Sequence, residues 1–373
     1  MRWLITLLLL VFFQWYSYQA LKTAILNRWI LYGYVFFTVI IVGNLLFYTL
    51  ILERNTTNEP RLMYAIGFFL SLLIFQLLVS VILLAEDVFR IPQALYSFLK
   101  RVPEQTQFIP SRRKIISQIA LGLASIPFAS LLYGMYRGKY NYKVLSYNLE
   151  FEDLPDAFDG FKITQISDIH SGSFDNQTKV QYGVDLVNQQ KSDLVLFTGD
   201  LVNNRADEIK PWIKIFNKIK AEFGVFSILG NHDYGDYMRW ESPAAKRKNM
   251  EDLYDAHNEM GWDLLLNESR FIEKDGDRLA IIGVENWGSG FKKAGDLKKA
   301  LNKVSEKDFK ILLTHDPSHW EAQVIPHPFK IHLTLSGHTH GMQFGIEIPG
   351  VIKWSPAKWR YKQWAGVYSE NKQ

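Results

Sequence analysis

In LTLSGHTHGMQF, residues 333–344, two histidines stand either side of a threonine where an apolar run meets a glycine. On extended backbone, residues two apart point to one face, so His338 and His340 can share a target, and imidazole is the commonest protein ligand for metals. The same spacing also fits a plain surface stripe, so a metal site requires further donors elsewhere. The chain has them. Asp168 and His170 follow FKITQI in SDIHSG, and Asp200 follows DLVLF in TGDLVNN. Asn231 and His232 follow GVFSIL in GNHDYG, and His315 follows KILL in THDP. Taken singly, DxH, GD and a capped GNHD turn are all frequent patterns. Their shared position, each just past a β-rich run, is what points to a two-metal site, because ligands collect beyond the carboxyl ends of strands in α/β sheets. With no cysteine in the chain, disulfides and thiolate sites are excluded. Nitrogen and oxygen donors of this kind suit Mn, Fe or Zn.

These blocks need a scaffold that brings five strand ends to one edge. The short apolar runs FKITQI, DLVLF, GVFSIL, KILL and IHLTL have strand length and composition. Helix-like segments at 176–190 and 206–220 separate several of them, which predicts a layered α/β domain with substantial sheet. Residues 236–262 read as an insertion with one amphipathic helix. Its Arg239, Lys246, Arg247 and Lys248 could draw an anionic substrate or lipid surface, although a solvated charged face is the favoured reading. Asp233 either orients His232 or caps a turn, and Asn203 and Asn204, just after Asp200, could touch substrate but are not singled out as site residues. His257, His319, His327 and His332 are read as surface or locally hydrogen-bonded residues. No repeat, low-complexity tract or glycine-rich phosphate loop is present.

The first part of the chain has a different character. At 373 residues there is room for about two units. Residues 1–150 carry 14 Lys/Arg against 6 Asp/Glu, while 151–373 carry 28 against 32, so the basic excess is N-terminal. Four uncharged stretches at 3–21, 29–52, 62–85 and 115–136 approach or exceed the ~20 residues a helix needs to cross the hydrocarbon layer. They predict a transmembrane region over 1–136. The first lacks a small-residue cleavage site and a second span follows closely, against its being a signal peptide. Arg90, Lys100, Arg101, Arg112, Arg113 and Lys114 crowd the third connection. The positive-inside rule then puts that loop in the cytoplasm and the domain after Arg137 outside it. SRRKII at 111–116 resembles a twin-arginine export signal and reads equally as the basic flank of a span.

The five blocks DxH, GD, GNH, H and GHxH together resemble the calcineurin-like metallophosphoesterase superfamily, in its bacterial membrane-anchored type. The resemblance covers roughly 150–350. It implies an α/β architecture: an N-terminal four-helix transmembrane region plus a layered α/β/β/α metallophosphoesterase sandwich over 147–373. It implies two divalent metal ions, with Asp168, His170 and His340 on one, Asn231, His315 and His338 on the other, and Asp200 bridging both. His232 matches the histidine that contacts phosphate and protonates the leaving oxygen. The chemistry agrees: a carboxylate can span two cations, a neutral amide at Asn231 keeps the site cationic enough for phosphate, and general acid help is worth ~10²–10⁴-fold. GHTHGMQ departs from the pattern, with Met342 where a second glycine is frequent, so Met342 is expected to narrow the rim.

The expected function is a membrane-anchored dinuclear-metal phosphohydrolase that cleaves a phosphomonoester, phosphodiester or pyrophosphate bond by metal-activated hydroxide attack. Its substrate is a phosphate ester, with lipid-linked esters favoured by the tether and by Trp240, Trp262 and Trp287 near expected rim loops; no specific nucleic-acid partner is expected. The alternatives are a UDP-diacylglucosamine pyrophosphate hydrolase acting in the cytoplasm and a non-catalytic metal-binding sensory module.

Overall fold

A computed structural model describes residues 2–50, 60–100, 110–288, 290, 293–341, 345–348 and 350–370. Met342, expected at the rim, lies outside the described residues. Contacts divide the chain into two compact units, Met1–Tyr142 and Lys143–Gln373.

The first unit is helical: α1 (Arg2–Ala24), α2 (Arg28–Leu50), α3 (Pro60–Lys100) and α4 (Pro110–Tyr136). Among the described residues, three helical stretches, Arg28–Leu50, Arg61–Pro92 and Arg112–Tyr136, are long and apolar enough to cross a membrane. Helix α1 covers the first expected span, but Gln14, Ser17 and Gln19 make it less apolar. Fully buried Ala20, Ala120 and Ala124 pack with Val79 and Leu83, small residues that let apolar helices approach closely. Several polar side chains bond one another between helices, as a hydrocarbon surround favours. The Tyr34 hydroxyl donates to Gln14 Oε1 at 3.0 Å, and Gln76 Nε2 donates to Gln14 and to the Tyr34 hydroxyl, joining α1, α2 and α3. Arg113 pairs with Glu86 and Asp87. Helix α3 continues through Pro92 past the expected end at 85, because a helix ends where its backbone bonding ends, whereas apolarity ends with the bilayer.

The second unit holds two four-stranded sheets. In the first, β1 (Ile163–Ile166), β2 (Leu194–Phe197), β3 (Val225–Ser227) and β4 (Asp263–Leu264) lie in sequence order and all parallel. In the second, β5 (Glu268–Lys274) and β6 (Asp277–Gly283) form a hairpin, and β7 (Phe309–Leu313) and β8 (Leu333–Leu335) extend it in parallel. A separate antiparallel pair, β9 (Ile346–Ile348) and β10 (Ile352–Trp354), follows. Alternation along the strands makes the layers. Leu194 and Leu196 of the first sheet meet Leu279, Ile281, Ile311 and Leu313 of the second in the central core. On the outer side of the second sheet, Ala280, Ile282 and Leu312 pack on Leu297 and Ala300 of α8 (Leu297–Ala300) and on Trp320 and Val324 of a π-helical turn. On the outer side of the first, Phe197 packs on His257 of α7 (Pro243–Glu259) and on Trp262, while α5 (Gln177–Gln189) buries Val180 and Val184. This is the α/β/β/α order expected.

Two expectations are corrected. Residues 206–220 do not form one helix: they make two 3-10 turns and the single-turn α6 (Ile213–Phe216). Pro211 lacks an N–H and disfavours helical backbone at the residue before it, so the segment restarts there. Trp262 is no rim residue: it is 2% exposed, wedged against Phe197 and Phe216.

Candidate metal centre

Because β1, β2 and β3 are parallel, as are β6, β7 and β8, the segments that follow β1, β2, β3, β7 and β8 leave at the carboxyl edges of their sheets. Those after β1, β2 and β8 then turn sharply. Asp168, His170, Asp200, His338 and His340 all have left-handed backbone, with φ of 51°, 46°, 61°, 70° and 53°. That region is disfavoured for residues with a Cβ, and such strain concentrates at functional sites. It is held in place by bonds between the loops: Asp168 N–H to Gly199 O at 3.0 Å, His170 N–H to Asp200 O at 3.1 Å, Gly337 N–H to His315 O at 2.9 Å. Gly230 is required by close approach, since a Cβ there would collide with the Asp200 carboxylate.

All eight residues named from the sequence lie in this region. The donor atoms of Asp168, His170, Asp200 and His340 fall within 4.8 Å of one another, and so do those of Asp200, His315 and His338. Asp200 belongs to both groups. Its Oδ1 accepts the His232 N–H at 2.8 Å. Its Oδ2 is buried, lies 3.1 Å from His315 Nε2 and 3.5 Å from His170 Nε2, and accepts no directed hydrogen bond. Asn231 gives its Nδ2 to the Tyr237 hydroxyl at 2.8 Å, which leaves Oδ1 buried and without a hydrogen bond. Orphaned buried oxygens cost about 1–3 kcal/mol each, and cations between these residues would relieve both. His232 is outside both donor groups; its ring meets His170 edge-on at 4.8 Å.

The next layer fixes which ring nitrogen faces inward. His170 Nδ1 bonds Asn203 Oδ1 at 3.1 Å, His315 Nδ1 bonds Thr198 O at 2.8 Å, and His232 Nδ1 bonds Asn203 O at 2.8 Å. In all three, Nε2 is the other ring nitrogen, and those of His170 and His315 face the fellow donors His340 and His338. His338 is reversed, with Nε2 on the Tyr361 hydroxyl at 2.7 Å and Nδ1 3.3 Å from His315 Nε2. Asn203, for which the sequence left substrate contact open, orients two histidines. Asp233 is turned away from His232: its carboxylate accepts four backbone N–H groups, those of Asp200, Leu201, Val202 and Gly230, at 2.8–3.2 Å. It ties the β2 and β3 loops together beneath the centre. The sequence reading missed Tyr361, which lies outside every block. Three other histidines, read as surface or locally hydrogen-bonded, are buried instead: His257 bonds Ser227 at 3.0 Å and His332 the Lys310 N–H at 2.9 Å, both distant in sequence, and only His319 bonds locally, to Thr314 at 2.9 Å. In the 236–262 insertion, Lys246 pairs with Asp236 and Lys248 with Asp252.

Electrostatics follow from burial. Burial and neighbouring imidazoles push His170 and His338 down to about 4, against the pull of Asp200. Burial also disfavours a charged His315, but the adjacent Asp200 carboxylate wins and raises it. Asp200 itself stays ionised despite burial, because His315 and His170 face it. Burial and the Asp200 charge lift Asp233 to about 7, with its amide donors pulling back. Such a cluster shares protons among rings and carboxylates, and divalent cations compete for the same lone pairs.

Two facing sheets whose strand ends assemble histidine, aspartate and amide donors around a shared carboxylate define the class of metal-dependent hydrolases. Residues 161–342 match the family of calcineurin-like phosphoesterases, and residues 1–139 match a family described as a probable calcineurin-like phosphoesterase transmembrane domain. The chain is a calcineurin-like metallophosphoesterase with an N-terminal transmembrane domain, a metal-dependent phosphoesterase by family. Relatives include an uncharacterized metallophosphoesterase, YkuE, of Bacillus subtilis, 28% identical over 223 residues, 59% of this chain and 72% of that protein. A transmembrane protein with metallophosphoesterase domain from Danio rerio is 27% identical over 223 residues, 57% of this chain and 47% of the relative. An uncharacterized metallophosphoesterase of Helicobacter pylori is 28% identical over 243 residues, 64% of this chain and 60% of the relative.

Proposed function

We propose that this chain hydrolyses a phosphomonoester, phosphodiester or pyrophosphate bond, at a membrane, with two divalent cations. In this reading residues 1–136 are the membrane region, crossing four times, and 147–373 the phosphoesterase domain, held outside the cytoplasm. Asp168, His170 and His340 hold one cation, Asn231, His315 and His338 the other, and Asp200 both. The observation that carries the reading is Asp200 Oδ2, buried and without a hydrogen bond between His170 and His315. Bound there, cations of Mn, Fe or Zn type would supply Lewis acidity toward phosphoryl oxygen and water.

The residues divide the remaining work. Asp200 and Asp168 offset cationic charge, while Asn231 contributes a neutral oxygen that preserves attraction for phosphate. His232 gives its Nδ1–H to Asn203 O, which leaves Nε2 to face the leaving oxygen, to which the imidazolium form donates a proton. The tether favours an ester carried on a lipid. The test is Asp200→Asn in the full chain, with metal content and hydrolysis of a nitrophenyl phosphodiester measured together. Loss of both metal equivalents and of turnover is expected. Two retained equivalents with normal turnover would remove Asp200 from the bridge, and metal without turnover on any ester in the unmodified protein would favour a binding module.

A further inference from the structure

Beyond the metal centre, the segment 345–370 holds a surface that the hydrolase reading does not use. Strands β9 and β10 pair Ile348 with Ile352 and Ile346 with Trp354. Directly opposed residues of an antiparallel pair share a face, so these four make one apolar side, with Glu347 and Lys353 on the other. Among the described residues that side is uncovered: Ile346, Ile348 and Ile352 are each about half exposed, and Val351 at the turn is 79% exposed. Trp359 packs against Trp354 with ring centroids 5.6 Å apart and is itself 80% exposed. A two-stranded ribbon with one unpacked apolar face is marginal in water alone.

We propose that this ribbon and Trp359 dock into the headgroup region of an anionic bilayer. Three observations choose a bilayer over another occupant. Cations outnumber acids in the segment, with Lys353, Lys358 and Arg360, beside a Lys362 that pairs with Glu321, against Glu347 and Glu370, and a cationic rim around apolar tips is how peripheral segments hold anionic lipid surfaces. Tryptophan is the residue enriched at membrane interfaces. The same chain also carries apolar helices long enough to cross a membrane, and fifteen residues lead from the end of α4 to Phe151 in the sandwich core. That is at most about 50 Å of extended chain, which keeps a bilayer at high effective concentration.

The segment also reaches the chemistry. Two positions after Trp359, the Tyr361 hydroxyl bonds His338 Nε2 at 2.7 Å. Docking by Trp359 therefore brings lipid phosphates to the edge of the metal centre.

The chain has no cysteine, so a single one can be introduced and labelled. Val351→Cys, carrying a nitrobenzoxadiazole label in the full chain, is reconstituted in nanodiscs of equal phosphatidylglycerol and phosphatidylcholine containing headgroup-proximal doxyl lipid. Tyr182→Cys, on exposed α5, is the reference. Strong quenching at 351 and little at 182 is expected. Adding Trp359→Ser should release the 351 label by roughly tenfold in partition, the worth of one large apolar side chain. Equal quenching at the two positions overturns the proposal. So does a blue-shifted, unquenched label at 351, which would mean that protein, either the chain's own helices or a second copy, covers the face. The readout is independent of turnover, so it stands apart from the hydrolase reading.

Discussion

Replacing Asp233 with asparagine should cripple the centre without removing any proposed ligand. Asp233 Oδ2 accepts the N–H groups of Asp200 at 2.9 Å and Gly230 at 2.8 Å, and Oδ1 accepts those of Leu201 at 2.8 Å and Val202 at 3.2 Å. Asparagine keeps one acceptor oxygen and turns an NH2 toward two of those donors. Two buried N–H groups then lose their partner at about 1–3 kcal/mol each, so the loss is about 2–6 kcal/mol. For a unit of this size that lowers the unfolding midpoint by roughly 5–20 °C. One effect opposes it: the Asp200 charge raises the Asp233 pKa, so neutralising Asp233 relieves a repulsion. The size and sign of the midpoint shift, read by thermal unfolding beside metal content, decide between them. The expected variant unfolds earlier and holds less metal, because the β2 and β3 loops that carry Asp200 and Asn231 are no longer tied. A variant as stable as the parent, fully loaded and active, would refute the argument that the four-amide net positions the site.

His232→Ala should keep its metal and lose rate by ~10²–10⁴-fold on esters with poor leaving groups, and by less on nitrophenyl esters; a uniform loss would assign His232 to positioning instead. His257 is pushed down to about 3 by burial. Its unfolded form binds a proton near 6.5 while the folded form does not, so its stabilising contribution is complete above about 6.5 and falls by up to about 1.4 kcal/mol per pH unit down to about 3. His257→Gln should flatten that acid limb of the unfolding midpoint, whereas curves parallel to the parent's would contradict it. For topology, Ser369→Cys should react with an impermeant maleimide in intact cells and Ser97→Cys only after lysis; the reverse pattern would place the domain in the cytoplasm, with UDP-diacylglucosamine as the substrate to test.

Much of the centre was legible because strand ends constrain local sequence. A ligand at the carboxyl end of a buried strand must follow an apolar run and usually a turn, so DIH, GD, GNH and GHTH carry their own context. Helix α5 was legible for a similar reason, Asn176 capping it through the Lys179 N–H at 3.0 Å. What failed depended on distant partners. Nothing near Tyr361 announces a bond to His338, and nothing in VNN tells whether Asn203 meets substrate or imidazole. Trp262 looked like rim because large aromatics serve rims and cores alike. One signal was present and unused: Asp275-Gly276 between RFIEK and DRLAII, both with positive φ of 51° and 92°, is the two-residue turn that builds the β5–β6 hairpin.

The centre also joins the two ends of its domain. The His338 N–H reaches the Asp168 carboxylate at 3.0 Å, and His340 Nε2 lies 3.1 Å from His170 Nε2, in both cases across 170 positions of sequence. A cation held by both sides would act as a removable cross-link. By analogy with disulfides, fastening a loop of more than 100 residues is worth about 4–5 kcal/mol, in a chain with no cysteine to do it otherwise. Such a clasp cannot close during synthesis until β8 has emerged and paired. Loading would thereby test completeness: a truncated or half-translated chain would stay unclasped and easily degraded, and a chelator would return the finished one to that vulnerable state.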